Sequence, residues 1–375
     1  MTNSNVSLDD KYSIESGRIF VTGVQALARI PMVQRQRDVL EGLNTAGFIS
    51  GYRGSPVGGF DQQLWRAKKF LEQNHIRFQP GLNEDLAASA IWGSQQTNLH
   101  EGGKYDGVFA IWYGKGPGVD RCGDVFKHGN MSGPAKHGGV LLIAGDDHAA
   151  KSSTVPHQSE YAFMDASIPV LNPAGLQDIV DYGILGFAMS RFSGCWVAFK
   201  TTAENMDSSA SIDVSPDRVK ISLPKFDMPE GGLSIRWPDD WIEQEHRLHQ
   251  YKLNAVRAFA RQNKIDKTII NSQNPKLGVV TTGKSYLDVR QALEDLGINE
   301  AKADKIGLRL YKVGMPWPLE PQGIDEFSQG LKEILVIEEK RPIIESQLKE
   351  HLYNHSPENR PNVVGKYDDK GQFLQ

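Results

Sequence analysis

Gly47-Phe48-Ile49-Ser50-Gly51-Tyr52, running into Arg53-Gly54-Ser55-Pro56-Val57-Gly58-Gly59, is the stretch on which the fold turns. A short apolar run that stops in glycine, serine and proline reads as a strand ending in a turn. Behind it, Phe60, Leu64, Ala67, Phe70 and Leu71 recur at helical spacing over 60–73. The rhythm then repeats. Short strands are predicted at Ile76 to Phe78, Gly107 to Tyr113, Gly138 to Ala144, Ile168 to Leu171 and Cys195 to Lys200. Between them lie helices opened by Leu82-Asn83, by Val119 and by Gly175. Strands alternating with helices through short loops imply an α/β fold with a doubly wound, mostly parallel sheet. Ligands of such sheets bind where the strands end.

Outward from this block the pattern changes. Upstream, Phe20, Val24, Leu27, Ala28 and Ile30 have helical spacing with Thr22 as N-cap, and Pro31 is expected to interrupt or bend that helix. Residues 1–16 are polar and read as a flexible N-terminus. Downstream, 203–237 holds Pro216, Pro224, Pro229 and Gly231-Gly232 and reads as an irregular connection. Leu248, Tyr251, Ala255, Val256 and Phe259 mark an amphipathic helix. A second, smaller α/β unit starts near Pro275, with strands at 277–281, 307–313 and 334–338 and helices at 285–296 and 342–353. The organisation expected is therefore a first domain at 17–215, a connecting segment at 216–273, a Rossmann-like domain at 274–356, and a polar tail or truncated linker at 357–375.

Composition narrows the function. The chain has 375 residues, enough for two to three domains, with 39% hydrophobic residues to build their cores. Lys plus Arg is 42 against 46 Asp plus Glu, a net charge of −4, which argues against nucleic acid as a partner. No apolar run approaches the ~20 residues of a membrane span, and Met1 to Asp10 lacks the features of a signal peptide. A cytoplasmic protein is expected. Two cysteines, Cys122 and Cys195, cannot build an iron–sulfur site.

Four constellations could carry chemistry. Gly278-Val279-Val280-Thr281-Thr282-Gly283-Lys284-Ser285 fits the phosphate-binding P-loop expression, but its β-branched interior reads as the strand itself. Asn83-Glu84-Asp85 opens a helix of small residues, where Asn83 caps and a buried Glu84 could share a proton. Two glycine turns, at Arg53-Gly54-Ser55 and Gly114-Lys115-Gly116-Pro117-Gly118, could let backbone approach a ligand. Asp146-Asp147-His148 with Ser152, Ser153, His157, Gln158 and Glu160 reads as a polar, substrate-facing loop, since no metal-ligand spacing is present. No metal site is expected.

Taken in order, Gly51-Tyr52-Arg53-Gly54-Ser55-Pro56, Asn83-Glu84, Gly114 to Arg121, Gly145-Asp146-Asp147-His148 with Lys151 to Thr154, and His157-Gln158-Ser159-Glu160 resemble the N-terminal part of the indolepyruvate ferredoxin oxidoreductases. These are thiamine-diphosphate-dependent 2-oxoacid:ferredoxin oxidoreductases. The resemblance runs from about Gly17 to the end. It implies a pyrimidine-binding domain followed by a transketolase-C-terminal-like domain, and makes the P-loop match a coincidence. It places Glu84 at the family's activating glutamate, which hydrogen-bonds the pyrimidine ring nitrogen of the cofactor. It places Gly54, Ser55, Gly116 and Gly118 beside the cofactor. Arg53, Ser55, Ser153 and Gln158 are then the residues expected near the 2-oxoacid. Arg53 stands where many smaller members have proline, as in the large fused bacterial forms.

The motif Gly-Asp-Gly, which binds diphosphate and magnesium in this class, is missing, and so are the cluster cysteines. The resemblance thus implies that Mg2+, the diphosphate and the iron–sulfur clusters are held by partner domains or gamma-type subunits in a dimeric assembly. Ferredoxin, a 2-oxoacid and coenzyme A are the other partners it implies. This chain by itself is expected to be inactive. Two alternatives stand beside this reading, a nucleotide-binding protein using 278–285 and an assembly subunit that has lost its chemistry.

Overall fold

A computed structural model of the chain describes residues 6–150 and 155–374. Its strands in the first half are Arg18–Thr22 (β1), Ala46–Gly51 (β2), Ile76–Phe78 (β3), Val108–Lys115 (β4), Val140–Asp146 (β5), Val170–Leu171 (β6), Val197–Thr202 (β7) and Ser209–Asp213 (β8). In the second half they are Lys267–Ile270 (β9), Leu277–Thr282 (β10), Leu308–Val313 (β11), Glu333–Ile337 (β12) and Asn362–Val364 (β13).

The first sheet has six strands in the order β3-β2-β4-β5-β7-β6, and every neighbouring pair is parallel. This is the doubly wound sheet that the strand–helix alternation implied. Its central strands are apolar without interruption, Phe109 to Tyr113 and Val140 to Ala144 being buried throughout. Parallel strands covered on both faces need that composition. The helices Gly23–Leu40 and Leu176–Ser193 cover one face around Phe109, Leu141 and Phe187. They cross closely because Gly183 leaves room for the Ile30 side chain. The helices Glu84–Gln95 and Gly123–Ser132 cover the other face around Trp112, Phe126 and Trp196. From β2 the chain crosses to β3 on one side and then to β4 on the other. The order in which strands are added therefore reverses between β2 and β4, and a crevice opens at their C-terminal ends.

The second sheet runs β13-β12-β10-β11-β9, with only β9 antiparallel to its neighbour. It is the smaller Rossmann-like unit, with a core of Val280, Val313, Phe327, Ile334 and Leu348. Among the described residues, no helix is long and apolar enough to cross a membrane.

The structure departs from the sequence reading in four places. Phe20 belongs to a strand, not a helix: β1 pairs antiparallel with β8, inside the stretch read as irregular. The helix behind it starts at Gly23 with Thr22 as N-cap and runs unbroken through Pro31 to Leu40. Burial of Ile30, Met32 and Val33 on both sides of the proline outweighs the one hydrogen bond it cannot donate. The N-terminus is packed from Asp10 onward. Tyr12 is buried and donates to Gln63 at 2.8 Å, while the buried Arg29 guanidinium holds the carbonyls of Tyr12 and Ile14. The tail does not leave the second domain at 356. β13 pairs with β12, and the Lys366 amide donates to Glu345 at 2.6 Å.

Candidate functional site

Three segments meet at the crevice between β2 and β4: the turn after β2, the loop after β4, and the helix that follows β3. Asn83 caps that helix, its Oδ1 accepting from the Leu86 amide at 2.9 Å. Glu84 is thereby the first helical residue, where backbone amides point at an acidic group. The Trp112 indole, from β4, donates to the Glu84 carbonyl at 3.1 Å and pins the backbone. The Glu84 side chain is 9% exposed. It lies over Gly118, where a Cβ would stand 2.6 Å from Glu84 Cγ. Arg121, in the short Gly116–Arg121 helix, reaches Glu84 Oε2 at 3.4 Å and Asp85 Oδ2 at 3.3 Å. The contact with Glu84 is long, so the carboxylate keeps capacity for a stronger partner.

The turn after β2 closes over the same place. Its Ser55–Pro56 peptide is cis, and Pro56 and Val57 seat on Gly145 at the end of β5. Arg53 and Ser55 are exposed at the rim. On the segments that meet there, Tyr52, Leu82 and Leu86 are exposed, Leu82 at 87%.

The three glycines singled out from sequence have a different use from the one expected. Above Gly54 stands the Lys115 side chain, above Gly116 the His157 ring, above Gly118 Glu84 itself. Each glycine makes room for a side chain of this chain rather than bare backbone for a ligand. They belong to the site through the groups they seat. Arg121 and Trp112, which hold Glu84, were not singled out. An arginine three residues after Gly118 was the available signal, but only the fold shows what it faces.

The loop after β5 touches this cluster through His157, which packs on Gly116 and lies 3.7 Å from Asp120, but its His148 and Gln158 side chains turn to the second domain. Gln158 Oε1 accepts from the Arg341 amide and Nε at 3.1 Å each, and its Nε2 donates to the Arg341 carbonyl at 3.3 Å. His148 faces Glu339 at 2.9 Å, and Lys340 donates to the His148 carbonyl. Tyr161 donates to the Pro342 carbonyl, with the Arg341 guanidinium 3.8 Å above its ring. The polar loop is a clamp between the two domains. A buried charge cluster lies beneath it. Lys200 contacts Glu160 at 2.5 Å, and Asp146 accepts from Ser159 at 2.5 and 2.9 Å. Burial, with Glu160 close by, holds the Asp146 carboxyl above the usual carboxylate range. Gln158 is therefore a docking residue by its contacts. Ser153 lies outside the described residues.

The P-loop match resolves as a strand. β10 runs through Thr282, Gly283 turns at φ 52°, and the Asn172 side chain occupies the space in front of Gly283. Lys284 pairs with Asp288 one turn along its own helix at 2.8 Å. No loop is left to cradle a phosphate. Cys122 and Cys195 are buried, and burial together with Asp85 pushes the Cys122 thiol well up, away from reactivity.

Residues 266–374 match the family model of the indolepyruvate ferredoxin oxidoreductase middle domain. The chain is 26% identical over 346 residues to the indolepyruvate oxidoreductase subunit IorA of Pyrococcus abyssi, covering 88% of this chain and 47% of that protein. It is 25% identical over 347 residues to the same subunit of Pyrococcus horikoshii, covering 90% and 48%. The chain spans about half the length of the curated relatives it matches. Its fold is similar to that of a 2-oxoglutarate:ferredoxin oxidoreductase from Magnetococcus marinus, at TM-score 0.64 and 14% identity, over 93% of this chain and 62% of the other. It is also similar to a split gene transketolase, at TM-score 0.52 and 12% identity, over 92% and 90%.

Proposed function

We propose that this chain, which belongs with the N-terminal part of the indolepyruvate ferredoxin oxidoreductases, supplies the pyrimidine-side half of a thiamine-diphosphate site in a 2-oxoacid:ferredoxin oxidoreductase. The complete enzyme would oxidise an aryl or branched 2-oxoacid with coenzyme A to an acyl-CoA, carbon dioxide and reduced ferredoxin. The observation that carries this reading is Glu84. It is a buried carboxyl, fixed at backbone and side chain, beside the switch point of a parallel sheet.

The residues present fit the cofactor's pyrimidine end. Glu84 has acceptor capacity to spare, because its contact with Arg121 is long. When bound, thiamine diphosphate supplies the electron sink for decarboxylation. The work of this chain is to hold and move one proton. The Glu84 carboxyl hydrogen-bonds a ring nitrogen and shares its proton there. Trp112 and Gly118 keep it in place, and Arg121 sits across its second face. Arg53 and Ser55 at the rim orient the substrate carboxylate by charge and by hydroxyl. The diphosphate, its Mg2+ and the iron–sulfur clusters come from partner domains or subunits in a dimeric, cytoplasmic assembly. One of these would cover Tyr52, Leu82 and Leu86 and exclude water from the crevice.

The test uses the complex as it occurs in its cell. The tagged chain is purified with its partners and assayed for 2-oxoacid-dependent reduction of a dye, with coenzyme A and thiamine diphosphate supplied. Glu84→Gln keeps the size and hydrogen bonding of the side chain but removes the proton relay. Loss of about 10²–10⁴-fold in activity, the usual weight of a positioned acid–base group, is expected. Undiminished activity in this variant would remove Glu84 from the chemistry. An inactive wild-type complex without iron–sulfur partners would favour the assembly-subunit alternative.

A further inference from the structure

The second domain carries a side-chain cluster that the crevice does not use. Asp325 lies on the Pro321–Ser328 helix, and His351 in the last turn of the Ile344–Leu352 helix. His355 follows four residues later, on the turn that continues that helix. His351 Nε2 is 2.7 Å from Asp325 Oδ1, and His355 Nε2 is 3.5 Å from the same oxygen. The ring centroids are 5.4 Å apart, and one donor atom from each of the three residues lies within 4.8 Å of the other two.

A plain ion pair between the helices explains only part of this. One histidine satisfies Asp325 Oδ1, and at 2.7 Å His351 does so. His355 is turned to the same oxygen at a distance where a hydrogen bond has faded. One centre that accepts electron pairs from both rings and the carboxylate satisfies all three. A zinc ion binds histidine nitrogen at about 2.0–2.1 Å and carboxylate oxygen at about 2.0–2.2 Å, so neighbouring ligands in a tetrahedral shell stand about 3.4 Å apart. The spacings of 2.7 and 3.5 Å bracket that value, and all three donor atoms lie within 4.8 Å of one another.

The ligand chemistry selects the ion. Two imidazoles and one carboxylate suit the borderline first-row divalent metals, whereas Ca2+ and Mg2+ demand more oxygens. The side chains of Asp325, His351 and His355 are 42%, 29% and 33% exposed, so an ion can enter from solvent and keep water in its remaining position.

We propose that Asp325, His351 and His355 form a binding site for a divalent first-row transition metal, with Zn2+ as its first occupant, that ties the Pro321–Ser328 helix to the end of the Ile344–Leu352 helix. Both helices already share a core through Ile324, Phe327, Leu348 and Leu352, so the ion would brace a packed pair.

The proposal is independent of Glu84 and is tested without any activity. Metal-free full-length chain is titrated with Zn2+ by calorimetry at neutral pH, and with Co2+ while its visible d–d absorption is recorded. One ion per chain is expected. His351→Gln and His355→Gln should each weaken binding by at least about tenfold and remove the Co2+ band. Asp325→Asn should weaken it too, although Asn can still accept from His351. Zn2+ should raise the melting temperature of the wild type and leave that of the His351→Gln/His355→Gln double variant unmoved. If His351→Gln fails to fold, His355→Gln, which loses only the 3.5 Å contact, carries the test. Equal binding by wild type and double variant would mean an adventitious ion only. That result, or no saturable binding at micromolar Zn2+, overturns the proposal.

Discussion

Two polar regions of the first domain look alike as sequence and differ as structure. Around Glu84, the carboxyl is buried, its cationic neighbour Arg121 is 3.4 Å away, and Arg53 and Ser55 face solvent. Around His148 and Gln158, the side chains are committed to Glu339, Arg341 and Pro342 of the second domain. Both regions follow strands of the parallel sheet and both are rich in acids and amides. What separates a candidate site from a clamp is the state of the polar groups. The long Arg121 contact leaves Glu84 free to take a stronger partner, whereas Gln158 spends its side chain on Arg341 of the second domain.

The largest expected effect comes from breaking the first region without touching a charge. Gly118→Ala puts a Cβ 2.6 Å from Glu84 Cγ, so the carboxyl must move. A displacement of this size at an acid–base group should cost about 10²-fold in 2-oxoacid-dependent activity, with little change in melting temperature. Unchanged turnover in Gly118→Ala would show that the place of Glu84 is not what the reaction needs.

The second region should respond in stability instead. Arg341→Ala removes the charge-assisted hydrogen bond from Arg341 Nε to Gln158 and the contact over the Tyr161 ring, and keeps the backbone bonds between the two residues. The full chain should lose about 2 kcal/mol in denaturant unfolding. Gln158→Ala, which removes all three bonds to Arg341, should lose at least as much and leave the KM for the 2-oxoacid alone. A tenfold rise in KM with no loss of stability would return Gln158 to the substrate.

Acid should loosen the same clamp. Burial works against ionisation of Glu339, but the hydrogen bond from His148, with Lys200 and Lys284 nearby, holds its carboxyl below the usual value of 4.5. A depressed carboxyl stabilises the fold above its unfolded pKa, and that contribution is lost as pH falls through the folded one. The stability gap between wild type and Glu339→Gln, within about 1 kcal/mol for a partly exposed pair, should therefore be full at pH 6 and shrink below about pH 4.5. A gap that widens on acidification would reverse the sign assigned to this contact.

The contrast between the regions also explains what could be read from sequence. β4 and β5 were legible because Phe109-Ala110-Ile111-Trp112-Tyr113 and Val140-Leu141-Leu142-Ile143 are buried on both faces and so are continuously apolar. Glu84 was legible because Asn83 is a cap whose use is local, three residues away. β8 was not, since Ser209-Ala210-Ser211-Ile212-Asp213 buries only Ile212 and owes its strand to pairing with residues almost two hundred positions earlier. The roles of Gln158 and His148 were hidden for the same reason, their partners lying 183 and 191 residues away. The family resemblance located Glu84 but could not say that Gly116 and Gly118 seat His157 and Glu84, which is a property of packing.

The smallest effect sharpens the comparison at its weakest point, the stretch Gly278 to Ser285. Lys284 sits at the start of its helix beside the clamp, and its contact is the exposed pair with Asp288. Pairs of this kind, four residues apart on a helix surface, contribute about 0.3–0.5 kcal/mol. Lys284→Ala should therefore barely move the unfolding midpoint. It should also leave titrations with ATP and Mg2+ as flat as in the wild type, because β10 runs to Thr282 and Asn172 fills the place a phosphate would need. Micromolar ATP binding lost in Lys284→Ala would mean that Asn172 gives way and that the seam, not the crevice at Glu84, receives a ligand. A flat titration leaves the crevice at Glu84, not the seam, as the candidate ligand site.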